Sequence, residues 1–134
     1  MDHEHFYLGN FEEEAQIESE TPRKDKWWFV GHFMPYEDHR TTKAMGLKYW
    51  KFNKGEESSH KPKTLGEPVA TECDMIFQGK VRGNIGGEQI TLSAGEYVII
   101  PPNTPSNLIE EVLEEPLVGL TIKAPSDPEH DTVR

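Results

Sequence analysis

Residues 71–105 read TECDMIFQGKVRGNIGGEQITLSAGEYVIIPPNTP, and this stretch decides the fold. Thr71 to Gln78 alternates, with Cys73, Met75 and Phe77 on one face and Glu72, Asp74 and Ile76 on the other. Such a period of two is the signature of a strand. Gly79 ends it. Lys80 to Ile85 and Glu88 to Leu92 flank Gly86-Gly87. A two-residue Gly-Gly turn predicts a β-hairpin, because both positions reach positive φ without steric cost. Ser93-Ala94-Gly95 is a second turn, and Tyr97 to Ile100 is a short apolar strand. Pro101-Pro102-Asn103-Thr104-Pro105 forms a stiff corner.

Working outward, Ser106 to Ile109 opens another strand and Leu117 to Ile122 is the last one on the C-terminal side. Glu110 to Glu115 is the best helix candidate, cut short by Pro116. On the N-terminal side, Ala44 to Phe52 predicts a strand with Leu47, Tyr49 and Lys51 on one face and Lys48, Trp50 and Phe52 on the other. Trp27 to Val30 is a dense aromatic and β-branched run, which also favours a strand. Residues 56–71 carry Pro62, Gly66 and Pro68 and read as a long loop. No segment shows sustained helical periodicity. Many short strands separated by Gly and Pro turns predict an all-β sandwich or barrel.

The 134 residues suit one domain. We divide them into an acidic N-terminal arm (1–26), a barrel (27–124) and a C-terminal tail (125–134). In the arm, Phe6, Tyr7, Leu8 and Phe11 could dock on a surface, while Glu12-Glu13-Glu14 stays in water. Mean hydropathy is -0.72 and the net charge is -10. So acidic a chain repels phosphate backbones and anionic lipid, which argues against nucleic-acid and membrane partners. The basic run Lys48, Lys51, Lys54, Lys61, Lys63 reads as a solvated face. Cys73 is the only cysteine, which fits a reducing compartment. With no apolar leader and no membrane-length segment, the expected location is the cytoplasm.

These strands and turns resemble the cupin superfamily over roughly residues 44 to 124. The family's second motif runs Gly, five residues, Pro, any residue, Gly, two residues, His, three residues, Asn. Gly95 and Pro101 match it. Asn103 stands at the second Gly, and Asn tolerates the left-handed conformation. Ser106 stands where the His would be, and Glu110 where the Asn would be. Of the first motif, Glu72 and Gly79 match the Glu and the closing Gly. Counted back from Glu72, the two histidine positions fall in Leu65 to Pro68. In the other register, Gly55 and His60 match, and Pro62 and Glu67 fall at the second His and the Glu. An insertion in the 56–71 loop would reconcile the two. The aromatic lead-in Trp27 to Phe33 is similar to that of small single-domain bacterial cupins.

The resemblance implies a cupin-type jelly-roll β-barrel, also described as a double-stranded β-helix, with a pocket inside. In metal-dependent members it implies three histidines and a glutamate around a divalent metal, a ligand set that suits iron, nickel, copper or zinc. Here the candidates reduce to His60, Glu72 and Asp74, so no metal cofactor is expected. His32 and His39 read as a strand-edge and a turn residue. Some cupins are epimerases that pair a His base with a Tyr acid, roles His60 with Tyr49 or Tyr97 could fill. Cys73 faces away from Glu72 and has no neighbour to activate it. The expected pocket lining is Trp50, Glu72, Tyr97 and Ser106, a mix of aromatic and polar groups suited to sugars and small organic molecules. The expected function is small-molecule binding, non-catalytic or weakly catalytic. The alternative is a metal-dependent dioxygenase or isomerase with a reduced ligand set. A homodimer through sheet edges and the aromatic arm is also expected.

Overall fold

β3 (Thr71–Ile85) and β6 (Ser106–Ala124) form the backbone of the molecule, an antiparallel ribbon running almost the whole length of both strands. The computed structural model describes residues 3–20, 27–57 and 69–126. Its other strands are β1 (Trp28–Val30), β2 (Gly46–Phe52), β4 (Glu88–Ser93) and β5 (Tyr97–Ile100). The sheet order is β1-β2-β6-β3-β4, and β5 continues β4 along the same edge of β3.

The ribbon is curled, and pairing alone shows it. Glu72 pairs with Ile100, and Ile85 pairs with Ser106. The chain from Ile100 to Ser106 can reach at most about 22 Å, and each pairing adds about 5 Å. A straight strand from Glu72 to Ile85 would span about 43 Å, too far for that link. The ribbon therefore wraps back on itself, as a jelly roll requires.

The bend sits where two strand breakers face each other. Gly79 has φ +89° and lies against the backbone of β6, where a Cβ would come 2.5 Å from the Pro116 carbonyl oxygen and 2.7 Å from that of Glu114. The ladder slips here, with Gln78 opposite Val118 and Lys80 opposite Glu114. A bulge of this kind increases local twist. Gly79 thus bends a strand that the sequence reading ended there, and Pro116, read as the end of a helix candidate, lies within β6 opposite that bend. The Glu110–Glu115 helix candidate is corrected in the same way, because this stretch is the middle of β6, with Val112 buried and Glu110 bonded to Arg82 at 3.1 Å. The Gly86-Gly87 hairpin forms as expected, with φ of 59° and 89°, and Asn103 takes the left-handed conformation at 62°.

The inner core is Phe52, Ile76, Val81, Leu108, Val112 and Leu117, with Trp50 at its margin. A second cluster lies on the outer face, where Phe29, Tyr49 and Val118 pack against Ala15. Ala15 belongs to α1 (Phe11–Ser19), a helix the sequence reading did not anticipate. Asn10 caps it, accepting from the Glu13 amide at 3.0 Å, and Glu14 accepts in return from the Asn10 amide at 2.9 Å. The acidic first turn favours the positive end of the helix dipole. No apolar stripe reveals this helix, because its buried residues are a small Ala15 and Glu18, whose carboxylate accepts from the Tyr36 hydroxyl at 2.5 Å. Glu14 does not stay in water either, since it meets Arg40 at 3.4 Å. At the other end the chain stays packed through Ser126, whose amide donates to the Lys43 carbonyl at 3.0 Å.

Candidate functional site

Strand register lays out the barrel interior row by row. Phe52 lies opposite Leu117, and Trp50, Gly119 and Ile76 form the next row. Then the character changes. Lys48, Thr121, Asp74 and Val98 form a third row, and Gly46, Lys123, Glu72 and Ile100 a fourth. The interior is therefore apolar at one end and charged at the other.

The charged end is closed from water. Asp74 is 1% exposed and Lys123 3%, and Glu72 and Thr121 are also buried. Bare burial of such groups costs several kcal/mol each, so they must be paired. The Trp50 indole N–H donates to Thr121 Oγ1 at 2.9 Å, and the Thr121 hydroxyl donates to Asp74 Oδ1 at 2.5 Å. Lys123 Nζ stands 4.0 Å from Glu72 Oε1. Trp50 can reach Thr121 because residue 119 is glycine. Its indole lies across that position, where a Cβ would come 2.6 Å from the ring's Cζ2.

Trp28 caps this end. Its ring takes the space left by Gly46, where a Cβ would meet it at 3.1 Å, and the ammonium groups of Lys48 and Lys123 each lie 5.6 Å from its ring centre. Phe33 packs edge-on against it at 5.5 Å. Beside the cap, His32 Nδ1 lies 2.6 Å from Ser126 Oγ, which also accepts the His32 amide. His39 contacts the His3 and Glu4 carbonyls at 3.0 and 3.1 Å, tying the N-terminal segment to the loop before β2.

The four expected lining residues separate. Trp50 and Glu72 both face the interior beside Asp74. Tyr97 does not, because β5 turns Val98 and Ile100 inward and leaves Tyr97 62% exposed on the outer face. Ser106 is half-buried at the start of β6, paired with Ile85 beside the hairpin turn and outside the two charged rows. The sequence reading missed Lys48, Thr121 and Lys123 as interior groups. The alternation Leu117, Gly119, Thr121, Lys123 was the signal that placed the last two there. Cys73 points outward, and burial, then the charges of Asp74 and Glu72, push its thiol above the ordinary value.

A search of solved structures places this geometry. An RmlC-like cupin family protein with a double-stranded β-helix fold, from Methanocaldococcus jannaschii, superposes with a TM-score of 0.52 at 16% identity, covering 63% of this chain and 73% of that one. The chain has the cupin fold. A cupin protein from Bacteroides fragilis matches at TM-score 0.49 and 20% identity, over 62% of this chain and 67% of that one. The plu4264 protein from Photorhabdus luminescens matches at 0.48 and 19%, over 75% of each chain. No family model matches the sequence of this chain, and no curated protein matches it. No helix among the described residues is long and apolar enough to cross a membrane.

The metal that the resemblance implies for some cupins does not fit the described residues. No group of three or more His, Cys, Asp or Glu among them is placed to hold an ion. Glu72 and Asp74 both face inward, but the Lys123 ammonium sits beside Glu72, where a divalent cation would be repelled. His60, the remaining candidate ligand, lies outside the described residues.

Proposed function

We propose that this cupin binds a small polar molecule at the charged end of its barrel, with little or no catalysis. One observation carries the reading, the burial of Asp74, Glu72 and Lys123 together in the inner rows. Buried ion pairs are weak sources of stability compared with apolar groups of similar volume. Clustered buried titratable groups are instead a mark of functional sites. Carboxylate acceptors, ammonium donors and the faces of Trp28 and Trp50 together suit sugars and small acids. Lys48, half-buried at the side of Trp28, is the charged member of these rows that meets solvent.

The test is a thermal-shift screen of sugars, polyols and small acids. A ligand present at ten times its Kd adds about 1.4 kcal/mol, which raises the melting midpoint of a chain this size by about 5 °C. The shift should vanish in Asp74→Asn and Lys48→Met. No shift with any compound, or shifts indifferent to both substitutions, overturns the proposal. Near-stoichiometric bound metal that is lost in His60→Ala would instead favour the metal-dependent dioxygenase or isomerase.

The same reading takes the protein as a cytoplasmic homodimer. Phe77, Tyr97 and Ile99 leave apolar area exposed on the outer face of β3 and β5, the kind of surface a two-fold partner covers. A monomer mass at micromolar concentration in sedimentation would remove the dimer from it.

A further inference from the structure

A cavity of about 300 Å³ lies on the opposite side of the sheet from the charged rows. Val30, Leu47 and Leu120 form its floor on the outer faces of β1, β2 and β6. Tyr7 and Phe11, from the N-terminal segment and the start of α1, form its wall. Arg40 and Glu14 stand at its rim.

The wall is held in place. The reciprocal Asn10–Glu14 cap fixes the start of α1, and Phe11 packs against Tyr49 with ring centres 5.0 Å apart. Arg40 is clamped as well. Its Nη2 donates to Asp38 Oδ2 at 2.7 Å, its Nε reaches both Asp38 oxygens, and its Nη1 reaches Glu14 at 3.4 Å. The guanidinium lies 3.8 Å from the Tyr36 ring centre and 4.6 Å from that of Tyr7. The cavity is thus preformed, apolar inside and polar only at the mouth, as small-molecule sites are. Its volume stands at the lower end of the range for such sites.

Charge at the mouth selects the occupant. One guanidinium faces two carboxylates, Asp38 and Glu14, so the rim carries a net negative charge and Arg40 is already engaged. An anionic head group would be repelled there. We infer that this outer cavity is a binding site for an uncharged small molecule with a planar or aliphatic apolar body. The site is separate from the barrel interior and does not depend on the reading given for it.

N-phenyl-1-naphthylamine, a neutral dye that brightens in apolar surroundings, tests the inference on the full chain. It should saturate at one dye per chain. Its sulfonated counterpart, 8-anilino-1-naphthalenesulfonate, should bind at least fivefold more weakly. Leu120→Phe and Val30→Phe each fill the floor from a different strand, and each should weaken the neutral dye at least tenfold with an unchanged circular dichroism spectrum. Asp74→Asn, inside the barrel, should leave its affinity unchanged. Tighter binding of the sulfonate, non-saturating fluorescence, or full affinity in a folded floor variant overturns the inference.

Discussion

Replacing Thr121 by Val isolates the hydrogen bonds at the charged end of the barrel. Valine has the shape of threonine and suits a strand, so neither a cavity nor a propensity penalty enters. What is lost is the hydroxyl between Trp50 Nε1, at 2.9 Å, and Asp74 Oδ1, at 2.5 Å. A buried donor left unsatisfied costs about 1–3 kcal/mol, and a hydrogen bond to a charged group is worth about 1.5–3 kcal/mol. Together they predict a loss of about 4 kcal/mol, a large part of the ~5–15 kcal/mol of an ordinary domain. At about 2.1 cal/mol/K per residue, 4 kcal/mol lowers the melting midpoint of a chain this long by about 14 °C. Calorimetry or urea unfolding reads this directly, with the urea slope m unchanged if the denatured state is unaffected. Thr121→Ser keeps the hydroxyl and should recover most of the loss. A valine variant melting within about 3 °C of the wild type would refute the reasoning, as would a serine variant no more stable than the valine one.

Two pH-linked outcomes follow from other parts of the molecule. Arg40 holds the Asp38 carboxyl below the ordinary carboxylate range, chiefly through their side-chain hydrogen bonds. A folded-state pKa that is depressed gives stability that is complete above the unfolded value of about 3.9 and lost as pH falls through the folded value. The stability gap between wild type and Asp38→Asn should hold from pH 7 to 5 and shrink only below about pH 4, and a gap that closes by pH 6 would contradict the pairing. The Cys73 thiol is pushed up by burial and then by the Asp74 and Glu72 charges, so alkylation should be slower than for a small free thiol. The difference should narrow as pH rises past about 8.5, and reaction at the free-thiol rate at pH 7.5 would contradict it.

The strands were legible in the sequence because alternation and turn chemistry agree along most of the sheet. The Gly86-Gly87 turn and the left-handed Asn103 are local features that nothing distant can change. The candidate site was half legible. Glu72 and Asp74 share a face of one regular strand, so their common orientation follows from a period of two. Tyr97 was misplaced because Tyr97-Val98-Ile99-Ile100 is apolar throughout and alternation gives it no face. Thr121 lies in the predicted strand Leu117–Ile122 and Lys123 just beyond it, but a threonine and a lysine in alternation read as a solvated face, so neither was read as an interior group. Helix α1 was hidden for a related reason. One of its two buried residues is a glutamate, and the tyrosine that donates to it comes from a distant loop.

The row pattern also explains how the barrel tolerates buried charge. Ile76, Val81, Val112 and Leu117 supply an apolar floor that does not depend on the upper rows. The charged groups sit one and two rows above it and are roofed by Trp28. Apolar packing and paired charge therefore occupy different levels of the same strands. In the floor, any loss of volume costs stability, because closely packed interiors relax only partly. In the upper rows, cost arises from breaking a pair, and swapping both partners for apolar groups of similar volume is often neutral. Charges that folding could dispense with in this way are what the proposed binding of a small polar molecule would account for.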